Sequence, residues 1–345
     1  MFPLAPLPRN VEAALRDASH AKLRVRLSAL DDLGRLATGP DRDRVVRVLM
    51  KLLANDPSAE VRARAAIALA DAKAESAGAT LIAAAQGDSD EKVKQMAILA
   101  LGELGAGDPA RLATVRSALS APSAPLRFQA LVALHHLAGN DIEPALRASF
   151  EDADAEVRFV AIRVAEERFI GGKGRRPAWL VDKLKQALGD EASFVRLLAA
   201  IVLHRAGEDS DALVLADAVN GRVGVREAED EQVAIEIAGE LCLEQAREGL
   251  ERRAFGWFGV SRDPFAWQAR VALARMGHVR AVGSILEDLQ GWTWETRTLA
   301  AAAAGAARLH AARARLLAML GDERSANPDT VRDALREIDA TGRPE

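Results

Sequence analysis

One segment of the chain carries the pattern from which the fold follows: Asp56-Pro57-Ser58-Ala59-Glu60-Val61-Arg62-Ala63-Arg64-Ala65-Ala66-Ile67-Ala68-Leu69. A turn that holds an aspartate leads into a valine, an arginine and then an alanine-rich run. Aspartate just before a helix is well placed to accept hydrogen bonds from the free backbone N–H groups of the first turn, and alanine has the highest helix propensity. The segment therefore predicts a capped helix whose small side chains allow a second helix to approach closely.

The same pattern returns four more times toward the middle of the chain. Its basic anchor residue recurs every 31 to 38 residues. These anchors are Arg62, Lys94, Arg127, Arg158 and Arg196. Between anchors lies a second stretch whose apolar residues follow a helical period, as in residues 45–53. Each repeat is therefore predicted to be two antiparallel helices, and because one such hairpin cannot bury its apolar face alone, the hairpins must stack into a solenoid.

The composition agrees with a helical protein and excludes several other classes. Apolar residues make up 49% of the 345 residues, aromatic residues only 4%, and tyrosine is absent. No apolar run reaches the roughly 18 residues of a membrane span. The single cysteine, Cys242, excludes a disulfide framework, and its apolar helical surroundings predict a buried thiol. The first ten residues lack the basic start of a signal peptide, so we predict a cytoplasmic location.

Charge is distributed without a basic segment. The formal net charge is −4, and residues 121–253 carry 17 basic and 24 acidic side chains, a net of −7. A surface that binds phosphate groups needs a local excess of positive charge. A nucleic-acid partner is therefore disfavoured, and the acidic run at residues 227–231 is interpreted as a solvated loop.

The turn-and-helix pattern resembles HEAT repeats, and in particular the short bacterial HEAT-like repeats of the phycobilisome-lyase type. The resemblance is strong over residues 56–205 and weaker beyond. It implies an all-α fold, an α-solenoid of nine to ten stacked antiparallel helical hairpins over residues 11–340. We expect an N-terminal extension at 1–10, regular repeats at 11–205, and degenerate repeats with aromatic-rich loops and a C-terminal cap at 206–345.

The resemblance also implies a ladder of ion pairs between successive repeats. In such repeats the turn aspartate and the basic anchor of neighbouring units pair with each other. The ladder would use the turn residues Asp56, Asp88, Asp152 and Asp190, with the anchors Arg62, Lys94, Arg127, Arg158 and Arg196. These positions are structural, and we expect no chemistry from them.

One face of the second helices is a candidate partner-binding surface. The resemblance places these helices on the concave side of a solenoid, and a helix turns by about 100° per residue. The second and sixth residues after the buried valine therefore point away from the core, yet they are mostly apolar. An exposed apolar face favours a groove for a peptide or a helix, whereas lateral packing between second helices explains the same residues. The candidates are Phe128, Val132, Phe159, Arg163, Leu197 and Ile201.

Aromatic residues concentrate late in the chain. Four of the five tryptophans lie within residues 257–294. Exposed aromatic side chains in loops are common interface anchors, although large side chains can also fill irregular packing at a degenerate end. The candidate residues of this second surface are Trp257, Phe258, Trp267, Trp292 and Trp294.

No catalytic, cofactor-binding or metal-binding residue is predicted. The nucleophile elbow, the Walker loop and the dinucleotide fingerprint are all absent from the sequence. The predicted function is therefore a non-catalytic interaction scaffold or adaptor for a protein partner. Two alternatives stay open because other HEAT-like proteins have these activities. One is a DNA-lesion binding protein or glycosylase, to which Trp257, Trp267 and Asp263 offer a superficial match, and the other is a bilin-lyase-like ligand binder.

Overall fold

The computed structural model describes residues 9–105, 107–137, 142–171, 176–256, 262–322 and 324–340. In these ranges the chain forms twenty α-helices and no strand. Successive helices pair as antiparallel hairpins, so the described residues build ten hairpins. The predicted all-α solenoid of nine to ten hairpins is confirmed.

The chain divides into two compact units, which we call unit 1 (Met1–Arg175) and unit 2 (Arg176–Glu345). Their boundary lies in the glycine-rich basic segment 171–177, of which residues 172–175 fall outside the described ranges. The division at residue 205 between regular and degenerate repeats concerned the sequence pattern, and it stays a prediction.

Unit 1 contains five hairpins. Its helices are α1 (Val11–Asp17), α2 (Leu23–Leu36), α3 (Arg42–Asn55), α4 (Ala59–Asp71), α5 (Gly78–Gly87), α6 (Glu91–Glu103), α7 (Pro109–Ala118), α8 (Ala124–Leu137), α9 (Glu143–Ser149) and α10 (Ala155–Phe169). The even-numbered helices, which we call the second helices, pack directly against one another from α2 to α10.

Unit 2 repeats this arrangement. Its helices are α11 (Ala178–Ala187), α12 (Ser193–Arg205), α13 (Ala212–Val219), α14 (Ala228–Glu240), α15 (Arg247–Phe255), α16 (Ala266–Arg275), α17 (Val279–Asp288), α18 (Trp294–Ala306), α19 (Arg313–Leu320) and α20 (Pro328–Ala340). A continuous apolar core runs through the unit between first and second helices. Short 3-10 turns in the two units lie at Gly39–Asp41, Glu75–Ala77, Glu244–Ala246 and His310–Ala312.

The turn aspartates do not all cap helices as predicted. Asp90 and Asp154 do so, and Asp90 accepts hydrogen bonds from the backbone N–H groups of the first turn of α6. Asp56 and Asp88 lie two residues before the cap and instead accept the N–H of the residue two positions on. This local turn leaves their carboxylates free to reach the neighbouring repeat.

The ladder of ion pairs is confirmed at two steps of unit 1. Arg62 donates two hydrogen bonds to Asp88, with Nε–Oδ2 and Nη2–Oδ1 both at 2.8 Å. Arg127 pairs with Asp152 in the same fork geometry, at 2.8 and 2.6 Å. A third step joins Arg26, which the sequence analysis did not include, to Asp56 at 3.0 Å. The two bidentate pairs, those of Arg62 and Arg127, fix α4 and α8 to the turn before the next second helix.

Replacing Asp88 by asparagine is expected to lower the free energy of unfolding by about 2 kcal/mol at neutral pH, because Arg62 loses its charged partner in a mostly buried site. Hydrogen bonding from Arg62, more than any other contact, holds the pKa of Asp88 below its usual range. The stabilisation is therefore complete above the unfolded-state pKa and is lost as the pH falls through the lowered folded-state pKa. Urea unfolding at neutral and acidic pH measures both effects.

The control for this prediction is Asp31→Asn. Asp31 pairs with Arg64, but both side chains are exposed, and exposed pairs contribute only about 0–1 kcal/mol. An equal loss of stability in the two variants, or an acid response of Asp88→Asn identical to that of the wild type, would contradict the buried ladder.

Candidate protein-docking surface

The second-helix face of unit 1 is partly apolar, as predicted. Phe128 and Val132 on α8 are half-buried, and so are Ile67 on α4 and Leu99 on α6. A cavity of about 510 Å³ lies on this face over α2, α4 and α6, and Ile67 is among its lining residues. This part of the predicted stripe keeps accessible apolar surface.

Three residues of the predicted stripe are buried and offer a partner no surface. Phe159 is 2% exposed, Leu197 1% and Ile201 0%. Leu197 and Ile201 belong to the continuous core of unit 2. The expectation that they face a partner is therefore corrected, and the lateral packing that we left open explains them. Arg163 is half-buried and holds its guanidinium 5.2 Å from the centre of the Phe159 ring.

The second helices pack side by side within each unit, and at three glycines their backbones come into close contact. A Cβ atom built on Gly239 of α14 would lie 2.6 Å from both the Cα and the Cβ of Ala272 on α16. The corresponding distances to Cα are 2.7 Å for Gly102 and 2.5 Å for Gly305, each again to an alanine of the next second helix. Leu197 and Ile201 are covered in another lateral contact, that of α12 with α14, whose buried side chains belong to the same core.

Three of the five late aromatic candidates lie in the described part of the chain, and they differ in their surroundings. Trp257 and Phe258 lie outside the described residues. Trp292, in the turn before α18, is fully exposed at 101%, and Trp294 at the first turn of α18 is 40% exposed. Trp267 is half-buried and lines a cleft that neither of these two tryptophans lines. Of these three described candidates, Trp267 is therefore the one that shares this cleft with other side chains.

The cleft of Trp267 lies on the second-helix face of unit 2. It has a volume of about 270 Å³ and is formed by α14, α16 and α18. Glu236 and Glu240 of α14 form one wall, and Trp267, Val271 and Arg275 of α16 line the rest together with α18. Because these α16 residues are four apart, successive turns of the helix bring them to the same face.

The electrostatics of the cleft leave one negative charge without a partner. Glu240 lies 3.0 Å from Nη1 of Arg275 and 3.1 Å from Nε2 of His204. Burial opposes its ionisation, but these two contacts outweigh burial and hold the pKa of Glu240 below its usual range. Glu236 accepts one hydrogen bond from Gln232 at 2.9 Å, and within the described part of the chain it forms no ion pair.

Sequence reasoning missed both glutamates. The signal that reveals them is the repeat itself, because Glu236 precedes Trp267 by 31 residues, which is one repeat length. Residues one repeat apart lie side by side on adjacent second helices. The acidic wall and the aromatic side chain could therefore have been brought together from spacing alone.

Cys242 corrects a further expectation. Its thiol is exposed rather than buried. The apolar stretch that suggested burial ends at Glu240, where α14 terminates, and Cys242 follows with a φ of +49°. This left-handed turn directs the side chain out of the helix, into a cavity that also borders Glu240 and Arg275.

Two features are absent from the described residues: a cluster of metal ligands and a membrane-spanning helix. These residues contain no group of three or more histidine, cysteine, aspartate or glutamate side chains that could hold a metal ion. His135, for instance, lies beside Glu167 at 3.3 Å and Arg168 at 3.2 Å. None of their helices combines the length and the apolar character that a bilayer crossing demands.

Stacked helical hairpins with ladder pairs and a partly apolar second-helix face define a helical-repeat protein. Residues 46–135 and 78–166 match the family of HEAT repeats. This part of the chain therefore consists of HEAT repeats, which confirms the resemblance seen in the sequence. No curated protein sequence matches the chain.

Solved structures that are similar to this chain include three of low sequence identity. Kap95p in complex with RanGDP is 12% identical with a TM-score of 0.50, over 94% of this chain and 51% of Kap95p, so the chain spans about half of that protein. YibA of E. coli is 14% identical over 93% of this chain and 98% of its own, with a TM-score of 0.44. One chain of the complex of CpcE and CpcF of phycocyanin lyase from Nostoc sp. is 19% identical. The match covers 72% of this chain and 96% of the chain in the complex, with a TM-score of 0.42.

Proposed function

We propose that this protein is a non-catalytic interaction scaffold that binds a segment of a protein partner in the Trp267 cleft of unit 2. The observation that carries the proposal is the cleft itself, where an accessible tryptophan lies between an acidic wall and a small apolar floor. Tryptophan is among the residues that dominate binding energy at protein interfaces, particularly in pockets that exclude water.

The size of the cleft supports a protein partner rather than a cofactor. Its volume of about 270 Å³ falls below the range of roughly 300–1,000 Å³ typical of sites for drug-sized ligands. A space of this size suits one or two side chains of a longer segment. The stacked second helices on either side would support the rest of that segment, as repeat proteins do along their extended surfaces.

The chemistry of the cleft supports a binding role rather than a catalytic one. Two of its three titratable groups, Glu240 and Arg275, are paired with each other, and Arg275 also donates to the carbonyl oxygen of Ala306 at 2.7 Å. A general acid or base needs a proton that it can exchange with substrate, whereas these contacts hold the ionised form of Glu240. The pair is thus suited to shaping the wall of the cleft.

The other candidate surfaces remain predictions. Phe128 and Val132 in unit 1 retain accessible apolar area, and Trp292 and Trp294 in unit 2 are exposed. Neither group of residues lines the Trp267 cleft. The DNA-lesion alternative loses one of its matches, because Asp263 is paired with Arg253 at 3.0 Å, and an acidic cleft repels the phosphate backbone.

The proposal is tested by affinity capture with the tagged full chain from its native cell extract, after nuclease treatment. The wild type is compared with Trp267→Ala and, as the matched aromatic control outside the cleft, Trp292→Ala. We expect a nuclease-resistant partner that Trp267→Ala loses and Trp292→Ala retains. The purified partner should then bind Trp267→Ala at least about tenfold more weakly, the minimum for an interface anchor.

The fold of each variant is checked by its melting temperature. If Trp267→Ala unfolds, Trp267→Leu, which keeps apolar bulk in the cleft, takes its place. Capture of nucleic acid and its passengers alone, or a partner that binds Trp267→Ala as tightly as the wild type, would overturn the proposal.

A further inference from the structure

We propose that the Trp267 cleft recognises a cationic side chain, an arginine or lysine that the partner segment inserts between the Trp267 ring and the Glu236 carboxylate. This inference rests on the proposed function and specifies the chemistry of the partner. Three independent features of the cleft carry it. One carboxylate has no ionic partner among the described residues, no described cation lies over the Trp267 ring, and one buried amide oxygen has no described donor.

The charge of the cleft calls for a cation. Arg275 balances Glu240 at 3.0 Å, whereas Glu236 has no ionic partner among the described residues. Unit 2 as a whole carries 27 acidic and 22 basic residues, a net of −5. Along α14, Glu229, Glu236 and Glu240 are all exposed, and their spacing of seven and four residues places them on one helix face. A basic segment would therefore be attracted to this face and neutralised within the cleft.

The part of Trp267 that lines the cleft offers a binding position for that cation. Elsewhere the chain covers an aromatic ring with a guanidinium of its own: Arg280 lies 4.0 Å from the centre of the Phe255 ring, and Arg163 covers Phe159. No cation of the described residues covers Trp267 in this way. Tryptophan is the best cation–π acceptor among the side chains. Its ring lines the same cleft as a carboxylate that has no ionic partner in the described residues, and this combination favours an ammonium or guanidinium group from outside.

The guanidinium of Arg275 does not occupy the position over the Trp267 ring, although Arg275 lines the same cleft. Its guanidinium is held by Glu240 at 3.0 Å and by the carbonyl oxygen of Ala306 at 2.7 Å. Gln268, also in the wall, has its Oε1 buried without a donor in the described part of the chain. The unpaired partial charge of this oxygen adds to the negative potential that a partner's cation would meet.

The experiment selects peptide ligands for the full chain from a phage-displayed random heptapeptide library, with counter-selection on Trp267→Ala. The selected peptide is synthesised with its basic residue and with a neutral isostere, citrulline for arginine. Calorimetry at low and high salt compares both peptides on the wild type, Glu236→Gln and Glu229→Gln. Glu229→Gln is the matched control, since it removes a carboxylate from the same helix outside the cleft.

We expect the selected peptides to share an arginine or lysine at one position. The citrulline form should bind about tenfold more weakly, because the side chain in the cleft has lost its charge. Glu236→Gln should weaken binding by a similar factor, because the cation has lost its charge partner. Glu229→Gln should change affinity by less than about twofold, as expected of a charge at the rim. Added salt should weaken binding to the wild type more than to Glu236→Gln.

Two results would overturn the inference. One is selection of peptides without a shared basic residue. The other is an affinity that neither citrulline nor Glu236→Gln reduces. Neutral peptides that still require Trp267 would leave the proposed docking function standing while removing its cationic specificity. Conversely, basic peptides that need Glu236 would support the cleft chemistry even if the extract contained no protein partner, so the two proposals fail separately.

Discussion

Replacement of Arg253 by leucine is expected to destabilise the protein by about 3–5 kcal/mol, the cost of removing one member of a buried charge network. Arg253 on α15 is only 9% exposed. Its Nη1 donates to Asp263 at 3.0 Å, its Nη2 donates to Glu231, and its Nε donates to the carbonyl oxygen of Val219 at 2.9 Å. Leucine fills much of the volume but leaves two carboxylates and a carbonyl without their donor.

The measurement is chemical denaturation monitored by circular dichroism, with Arg336→Gln as the control. Arg336 also pairs with an acidic residue, Asp333, but both are exposed on α20, and such pairs contribute less than about 1 kcal/mol. Arg253→Lys keeps the charge but donates from a single nitrogen instead of from the three nitrogens of a planar guanidinium, so its stability should lie between those of Arg253→Leu and the wild type. Similar losses in Arg253→Leu and Arg336→Gln would show that the network contributes no more than a surface pair.

This network also shows where sequence reasoning stops. Asp263 stood out in the sequence as a carboxylate among aromatic residues, which gave the DNA-lesion alternative its match. In the structure it pairs with Arg253, ten residues earlier and on a different element. The residue types alone did not distinguish an unpaired carboxylate from one in a structural ion pair. Which cation lies beside Asp263 depends on how the helices pack.

The hairpins, by contrast, could be predicted almost completely. The pattern is a basic anchor that recurs at one repeat length, with an aspartate before it. It predicts both where the second helix begins and which residue contacts the next repeat. Arg62 and Asp88 are 26 residues apart, and a stacked arrangement brings them together whatever the details of the turn. The repeat thus converts a local pattern into a long-range contact.

The docking face was harder to predict, because exposure on a second helix depends on the next helix. Phe128 and Phe159 occupy the same repeat position, yet Phe128 keeps accessible surface while Phe159 is buried. Helical periodicity gives the direction in which a side chain points and not the distance to its neighbour. That distance depends on the residue types at each contact, as Gly102 against Ala133 and Gly239 against Ala272 show for two other pairs of second-helix positions.

Because the backbones approach closely at Gly239, we expect the replacement of glycine by alanine to change stability in opposite directions at two positions of unit 2. Gly239→Ala is expected to destabilise the protein by about 1–3 kcal/mol, because overpacking an interface outweighs the gain in helix propensity. The added Cβ would lie 2.6 Å from Cα and Cβ of Ala272. Backbone atoms cannot rotate away as a side chain can, so α14 and α16 would have to separate.

Gly283→Ala is the matched control, and we expect it to stabilise the protein. Gly283 lies within α17, and a Cβ built there meets nothing within 4 Å, so alanine brings only its helix propensity, worth about 1 kcal/mol. Thermal melting of both variants beside the wild type tests the pair of signs. A loss of stability at both positions, or at neither, would contradict the conclusion that the second helices approach each other through Gly239. Because α14 and α16 also form the Trp267 cleft, Gly239→Ala should weaken partner binding at temperatures where the variant is still folded.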